Sequence, residues 1–480
     1  MKIGRNLECS PIVAGDFLPR GSRELLPITN PADETVVGSL VCASLEDIGD
    51  ALETADGVRQ SWRQCPPGER GAILTRAAGL MRGRIKENAE LLTLEQGKTL
   101  VESETEWERA IETFEWHGGE VERFNATTVL QTSRGKRSVA PEPIGVAAAF
   151  TPWNYPAVII ARKLSAALVA GCPVILKAAE ETPNTALAVA KALFDAGLPR
   201  KVLQLVFGKP AEISSALLAS PIVRVMSFTG STPVGKQLGC MAAGHLIRHV
   251  LELGGHSPVV ITADADIESA ATAIAAYKYD CAGQSCNAPS RVFIERAAYE
   301  HFLDAFVEIS GNVKVGEGWQ PEVNMGPMAN ARRLVAMDNL VSDAKTRGGR
   351  IVCGGTRLPR PGYFFPPTVL LDLPEGARLF VDEPFGPVLP ITPVDTIEQG
   401  VRRANMNAYG LASYVFAGDP KVAIEIASQL EAGSVGVNQM KGVPPDAAVA
   451  GIKDSGYGYE GGLAGVEVFQ NRKLVSGVNV

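Results

Sequence analysis

From Ile144 to Gly255 the chain alternates short apolar runs with helical ones. IGVAAAF precedes ARKLSAALVAG, PVILK precedes NTALAVAKALFDAG, VLQLVF precedes AEISSALLAS, and RVMSFTG leads on to HVLELGG. This βαβα rhythm predicts a mostly parallel sheet flanked by helices. A second α/β stretch runs from about Gly255 to Gly433, with strands expected at SPVVIT, RVFIE, GRIVCGG, YFFPPTVLLD and ASYVFAG. The 480 residues exceed one core, since domains typically run about 100 to 200 residues, so two large units or two plus a smaller piece are expected.

The first part of the chain has another texture. Ser44 and Asp47 form a capping pattern ahead of Ile48, Leu52 and Ala55 on one helix face. A long helical stretch is expected from about Pro67 to Phe124. Two β-like runs around Ser133-Arg-Gly then predict a hairpin, and isolated hairpins are marginal, so this one needs a partner strand or another subunit.

Bulk properties exclude several classes. A net charge of −7 argues against a nucleic-acid partner. No apolar run reaches the ~18 residues of a membrane span, and the opening MKIGRNLECSPIVAGDF has no apolar segment of a signal peptide. Eight cysteines scatter without pairing spacing, which predicts a reduced, cytoplasmic setting. The five histidines form no metal-ligand cluster; His245 and His249, four apart, are read as sharing a helix face for packing, and no metal is expected.

Several short stretches carry residue types suited to chemistry. Phe150 ends a strand, and Thr151, Pro152, Trp153 and Asn154 make a stiff turn at its carboxyl end, where ligands of open α/β sheets bind. An amide there either faces developing negative charge or builds the turn. Lys177 and Glu180 close the next strand; a carboxylate at this point accepts ribose hydroxyls and repels a 2′-phosphate, which favours NAD over NADP. The plainer reading is a solvated charge pair. Gly230, Ser231 and Gly235 open a helix, whose N-terminus offers free N–H groups to phosphate; the spacing fits neither G-x-G-x-x-G nor an ATP-binding loop. Glu252 lies in an apolar strand, so its carboxyl should be raised, as suits a general base or a buried ion pair. Cys286, in CAGQSCNAPS, is by itself either a reactive thiol or small apolar filler.

Together TPWNYP (151–156), KAAEETP (177–183), FTGSTPVG (228–235), LELGG (251–255), GQSC (283–286), EPFGPVLP (383–390) and KDSGYGYEGG (453–462) resemble the aldehyde dehydrogenase superfamily, in order and spacing, along almost the whole chain. The resemblance implies a Rossmann-like cofactor domain (1–122 and 143–253), an α/β catalytic domain (254–436) and a β-hairpin oligomerisation arm (123–142 with 460–480), hence a homodimer or homotetramer. It implies Cys286 as nucleophile, Asn154 as the side-chain half of an oxyanion hole, Glu252 as general base, and Lys163 with Glu460 as a proton relay. Cofactor contacts are implied at Phe150, Thr151, Pro152, Trp153, Lys177, Glu180, Gly208, Gly230, Ser231, Leu253, Gly254, Glu383 and Phe385.

The implied activity is oxidation of an aldehyde to its acid through a thiohemiacetal and a thioester on Cys286, with NAD as the favoured cofactor. A transferase making acyl-coenzyme A is disfavoured by Glu252, and a non-catalytic member by the presence of both Cys286 and Asn154. Substrate contacts are implied at Arg162, Asp280 and Trp116. Arg162 suits a distal carboxylate, hence a small semialdehyde; aromatic, aliphatic and amino aldehydes are the alternatives. Asp280 either pairs with Arg162 and cancels it, or binds an amino group. Ala448-Val449-Ala450-Gly451 replaces the usual P-F-G-G in a loop that shapes the tunnel.

Overall fold

The computed structural model describes residues 7–132, 135–440 and 442–477. Residues 1–6, the hairpin turn at Ser133 and Arg134, Lys441 and residues 478–480 lie outside the described residues.

The alternating runs build an eight-stranded sheet. Its five parallel strands lie in the spatial order Arg248–Glu252, Val223–Thr229, Val146–Phe150, Val174–Lys177, Leu203–Val206. The first strand in sequence is therefore central, and the chain winds outward in both directions from it. Strand order reverses between Val146–Phe150 and Val223–Thr229, and such a switch point opens a crevice outside the carboxyl ends. Phe150 is level with Lys177 and Phe228, and Thr229 with Glu252, so the site motifs end together along one edge. Helices on both faces bury these strands, which is why they read as unbroken apolar runs.

On one face pack helices Pro67–Gly83, Leu100–Gly119 and Pro156–Ala170, around Trp107, Phe114 and Leu164. The expected single helical stretch is broken. Gly97, at φ 95°, caps helix Ile85–Gln96 in the left-handed conformation, and a Thr99–Glu102 capping box starts the next helix. The Ser44–Asp47 box is present at helix Leu45–Gln64.

The second sheet has seven strands, in the order Arg350–Cys353, Thr368–Leu371, Val388–Val394, Pro289–Glu295, Ser257–Ile261, Ala412–Phe416, Ser434–Val437. The run YFFPPTVLLD becomes a strand only from Thr368, after its two prolines, which lack the N–H that a ladder needs. Strand Val388–Val394 was not expected, nor were the strands Leu7–Cys9, Leu25–Thr29 and Val36–Val41 near the start.

A separate three-stranded sheet pairs Thr128–Thr132 with Gly135–Pro143, and Gly135–Pro143 with Gln470–Gly477. Val129, Leu130, Leu474 and Val475 on it are exposed. Among the described residues no helix is long and apolar enough to cross a membrane. His245 and His249 do not share a helix: His245 caps helix Thr232–Gly244 at its C-terminus, and His249 lies in the next strand.

Candidate active site

Cys286 sits on a loop between helix Ile267–Tyr279 and strand Pro289–Glu295. That loop is strained: Cys281 and Ala282 both have φ of 52°, a region that costs non-glycine residues about 1–2 kcal/mol each. Surrounding bonds hold it. Gln284 donates to the Cys281 carbonyl at 2.9 Å and accepts from the Ala329 N–H at 3.0 Å. The loop lies so close to the sheet that a Cβ on Gly255 would meet the Cys286 carbonyl oxygen at 2.1 Å, so only glycine serves there. Cys286 is half-buried and faces a cavity of about 1130 Å³. Burial first, then the carboxylates of Glu383 and Glu252, push its thiol up to about 12.

Asn154 and Glu252 line the same cavity. The Asn154 amide donates to the Gln284 carbonyl at 2.9 Å, while its buried Oδ1 has no partner. Glu252 ends its strand, with one buried oxygen, Oε1, unpartnered. Its carboxyl is raised, by burial foremost and then by Glu460, against the opposing pull of Lys163 and Arg162. Glu460 accepts from the Lys163 ammonium at 2.6 Å, and Lys163 also donates to Ser227 Oγ at 2.8 Å. Lys163 and Glu460 thus form a buried ion pair whose charges act on Glu252.

Several residues expected at a cofactor lie along the carboxyl edge of this sheet, on both sides of the switch point. Thr151 and Thr229, at the carboxyl ends of the two strands that flank the switch point, each bury a hydroxyl with no partner among the described residues. Ser231 caps helix Thr232–Gly244 without a side-chain bond. Gly230 donates to the Glu252 carbonyl at 3.0 Å and Leu253 to the Ser455 carbonyl at 2.9 Å. Glu180 accepts from the Gly208 N–H at 3.2 Å and pairs with Lys177 at 2.7 Å. Glu383 accepts from the Gly255 N–H at 2.9 Å, and a Cβ on Gly254 would meet its other oxygen at 2.7 Å. Burial raises the Glu383 carboxyl to about 7. Trp153, just after Pro152, packs edge-on against Phe385 at 5.7 Å. Hydroxyls with no partner among the described residues, beside a helix N-terminus, fit a dinucleotide, whose phosphates and riboses would meet them.

At the other end of the cavity, Arg162 donates to the Val443 carbonyl at 2.6 Å, and its buried Nε has no partner. It does not pair with Asp280, which instead accepts from the Tyr155 hydroxyl at 2.6 Å. Trp116 needs correction as a substrate contact. It does not line the cavity; its ring packs at 4.7 Å from His117 and 5.3 Å from Phe124. The same helix instead presents Glu102, Thr105, Glu106, Arg109 and Thr113. Val449, in the altered loop, exchanges two backbone bonds with Glu460, at 2.7 and 2.9 Å.

Other contributors carried no motif. Arg333 donates to the Pro384 carbonyl at 2.5 Å and the Phe385 carbonyl at 3.0 Å, holding Phe385 at a φ of 46°. Only the left-handed conformation at Phe385, invisible in sequence, signals that need.

A doubly wound dinucleotide-type sheet whose crevice meets a half-buried thiol, an amide and a raised carboxyl defines an NAD(P)-linked oxidoreductase of the thiol type. The chain belongs to the aldehyde dehydrogenase family, whose model matches residues 17–475, and it is an NAD(P)-dependent aldehyde dehydrogenase. It is 41% identical over 465 residues, 97% of each chain, to a 4-(hydroxymethyl)benzenesulfonate dehydrogenase from Comamonas testosteroni. It is 35% identical, over 97% of this chain and 96% of the other, to an NADP+ succinate-semialdehyde dehydrogenase from Escherichia coli. A solved NAD-dependent aldehyde dehydrogenase from Sinorhizobium meliloti superimposes with a TM-score of 0.96 at 28% identity, covering 99% of this chain and 96% of that one.

Proposed function

We propose that Cys286 attacks the aldehyde carbon, that the Asn154 amide and the Cys286 backbone N–H receive the resulting alkoxide, and that Glu252 activates the water that frees the acid. One observation carries this reading: Cys286, Asn154 and Glu252, from three separate segments, line one cavity beside the strand-order switch point. A trigonal aldehyde carbon gives up hydride poorly. The thiol first gives up its proton to solvent, which the positive ring of a bound NAD(P) would favour; thiolate attack then makes the carbon tetrahedral, and donors aimed at the alkoxide are worth about 3 to 4 kcal/mol each. The chemistry that a bound NAD(P) contributes is acceptance of the substrate hydride. Glu252, raised by its surroundings, takes a proton from water and passes it towards Glu460, whose carboxylate the Lys163 ammonium holds. Cys286→Ala tests the assignment: NADH formation should vanish, and rapid quench of the native enzyme should show acyl mass on the 281–290 peptide. Intact NADH formation in the variant defeats it.

The preferred substrate is a small aldehyde with a distal carboxylate. Arg162 supports this, with a buried unpartnered Nε and no carboxylate ion pair among the described residues. An aromatic aldehyde bearing an anionic group is the second reading, supported by the cavity's size and its Tyr155 and Tyr277 walls. The relative named a 4-(hydroxymethyl)benzenesulfonate dehydrogenase supports the anionic aromatic ring. Glu180 favours NAD over NADP. Residues 1–122 with 143–253 bind the cofactor and 254–436 carry the thiol. The arm at 123–142 with 460–480, whose strands Thr128–Thr132, Gly135–Pro143 and Gln470–Gly477 carry exposed Val129, Leu130, Leu474 and Val475, extends a neighbour in a homodimer or homotetramer. Eight free thiols support a reduced, cytoplasmic setting.

A further inference from the structure

The segment from Gln96 to Glu106 belongs to none of the motifs above, yet it grips both sides of the site. Lys98 is fully buried. Its ammonium donates to the Asn154 carbonyl at 2.8 Å and to Glu106 at 2.5 Å, and stands 3.9 Å over the Tyr155 ring. The other Glu106 oxygen accepts from the N–H groups of Ala157 at 2.7 Å and Val158 at 3.4 Å. These are first-turn donors of helix Pro156–Ala170, whose own N-cap supplies no side-chain bond. The pair therefore holds the Asn154–Tyr155 turn from both ends. Across the cavity, Glu102 accepts from the Cys281 N–H at 2.9 Å, and Gln96 reaches Cys281 Sγ at 3.1 Å, at the strained start of the nucleophile loop.

A buried ion pair is a poor way to gain stability, because desolvating both charges offsets much of their attraction. What it supplies is fixed direction. We propose that Lys98, with Glu106, is a positioning residue that sets the orientation of Asn154 towards the substrate alkoxide. It acts through Asn154 and contributes nothing of its own to substrate or cofactor binding. The proposal rests on the reading of Asn154 as the alkoxide donor.

The test is a kinetic cycle on the full-length enzyme with NAD and its best aldehyde. Lys98→Met removes both bonds but strands Glu106, so Lys98→Met/Glu106→Gln is made beside it; glutamine still accepts from Ala157. Each is measured with Asn154 intact and with Asn154→Ala. Loss of one preorganised donor costs on the order of 10²–10³ in kcat, so misaiming it should cost about 10- to 100-fold. KM for the aldehyde and NAD affinity should stay within about twofold, and on the Asn154→Ala background kcat should fall no more than about twofold further, because residues that act through one another do not add. Equal losses on both backgrounds, a loss confined to KM or NAD affinity, or no loss overturns the proposal. Failure of both variants to fold overturns it too, by placing Lys98 in stability. Asn154→Ala with undiminished turnover is a separate result, and it defeats the alkoxide assignment itself.

Discussion

Replacing Glu252 with glutamine removes the proposed base and keeps its shape. The carboxyl is buried, has an unpartnered oxygen and is raised above the ordinary range, by burial first and then by Glu460. General-base assistance is worth about 10²–10⁴ in rate, or about 2.7–5.5 kcal/mol at ~1.36 kcal/mol per tenfold. That loss should fall on release of the acyl group, not on its formation. Glu252 is one of the carboxylates that hold the Cys286 thiol up, so neutralising it lowers the thiol and favours attack. Glu252→Gln should therefore give a burst of about one NADH per site, then turnover slowed by about 10²–10⁴, with acyl mass on the 281–290 peptide. Iodoacetamide should alkylate Cys286 faster than in the native enzyme at the same pH. Stability provides an independent check. A carboxyl raised on folding contributes stability that is complete below its unfolded pKa and is lost as pH rises through the folded one. Near neutral pH the variant should thus melt no lower than the native chain, and the difference should shrink towards pH 4. Turnover within threefold of native, or a slow reaction with no adduct, refutes the assignment.

Two further outcomes follow from the ends of the cavity. Arg162→Ala should raise KM for a carboxylate- or sulfonate-bearing aldehyde by about 10- to 100-fold, since charge-assisted contacts are worth about 1.5–3 kcal/mol, and should leave benzaldehyde nearly unchanged; unaltered selectivity removes the anion anchor. Glu180→Ser removes the charge facing a 2′-phosphate while Lys177 remains, so the ratio of NADP to NAD turnover should rise; initial rates with both cofactors check it, and a native enzyme that already prefers NADP defeats the argument.

Both sheets were legible where burial on two faces turns a strand into an unbroken apolar run, as at VAAAF and VILK. Strand Val388–Val394 was hidden by the opposite sign. Pro390 and Pro393 argue against a central strand, yet the structure places the strand between two parallel neighbours, with Val388, Leu389 and Ile391 fully buried. Contacts between distant segments carried no local pattern. Nothing in the spacing of Arg162, Asp280 and Tyr155 shows that Asp280 takes the tyrosine hydroxyl and leaves Arg162 without an acid.

The motifs expose the proposed nucleophile, alkoxide donor and base, but not the groups that aim them. Cys286, Asn154 and Glu252 each admit a plain local reading, as filler, turn builder or buried ion pair, and only the seven motifs in register single them out. Lys98 and Glu106 are a lysine and a glutamate in a helical, charge-rich stretch, where such residues are ordinarily solvated. Their meaning lies in burial, and burial here comes from helix Leu100–Gly119 packing against helix Pro156–Ala170. Hydrophobic periodicity can predict that two helices pack, but not which turn of one meets which end of the other. The orientation of Asn154 is therefore a tertiary property, whereas its identity is a local one. A change near Lys98 should alter kcat without touching any residue that the motifs name.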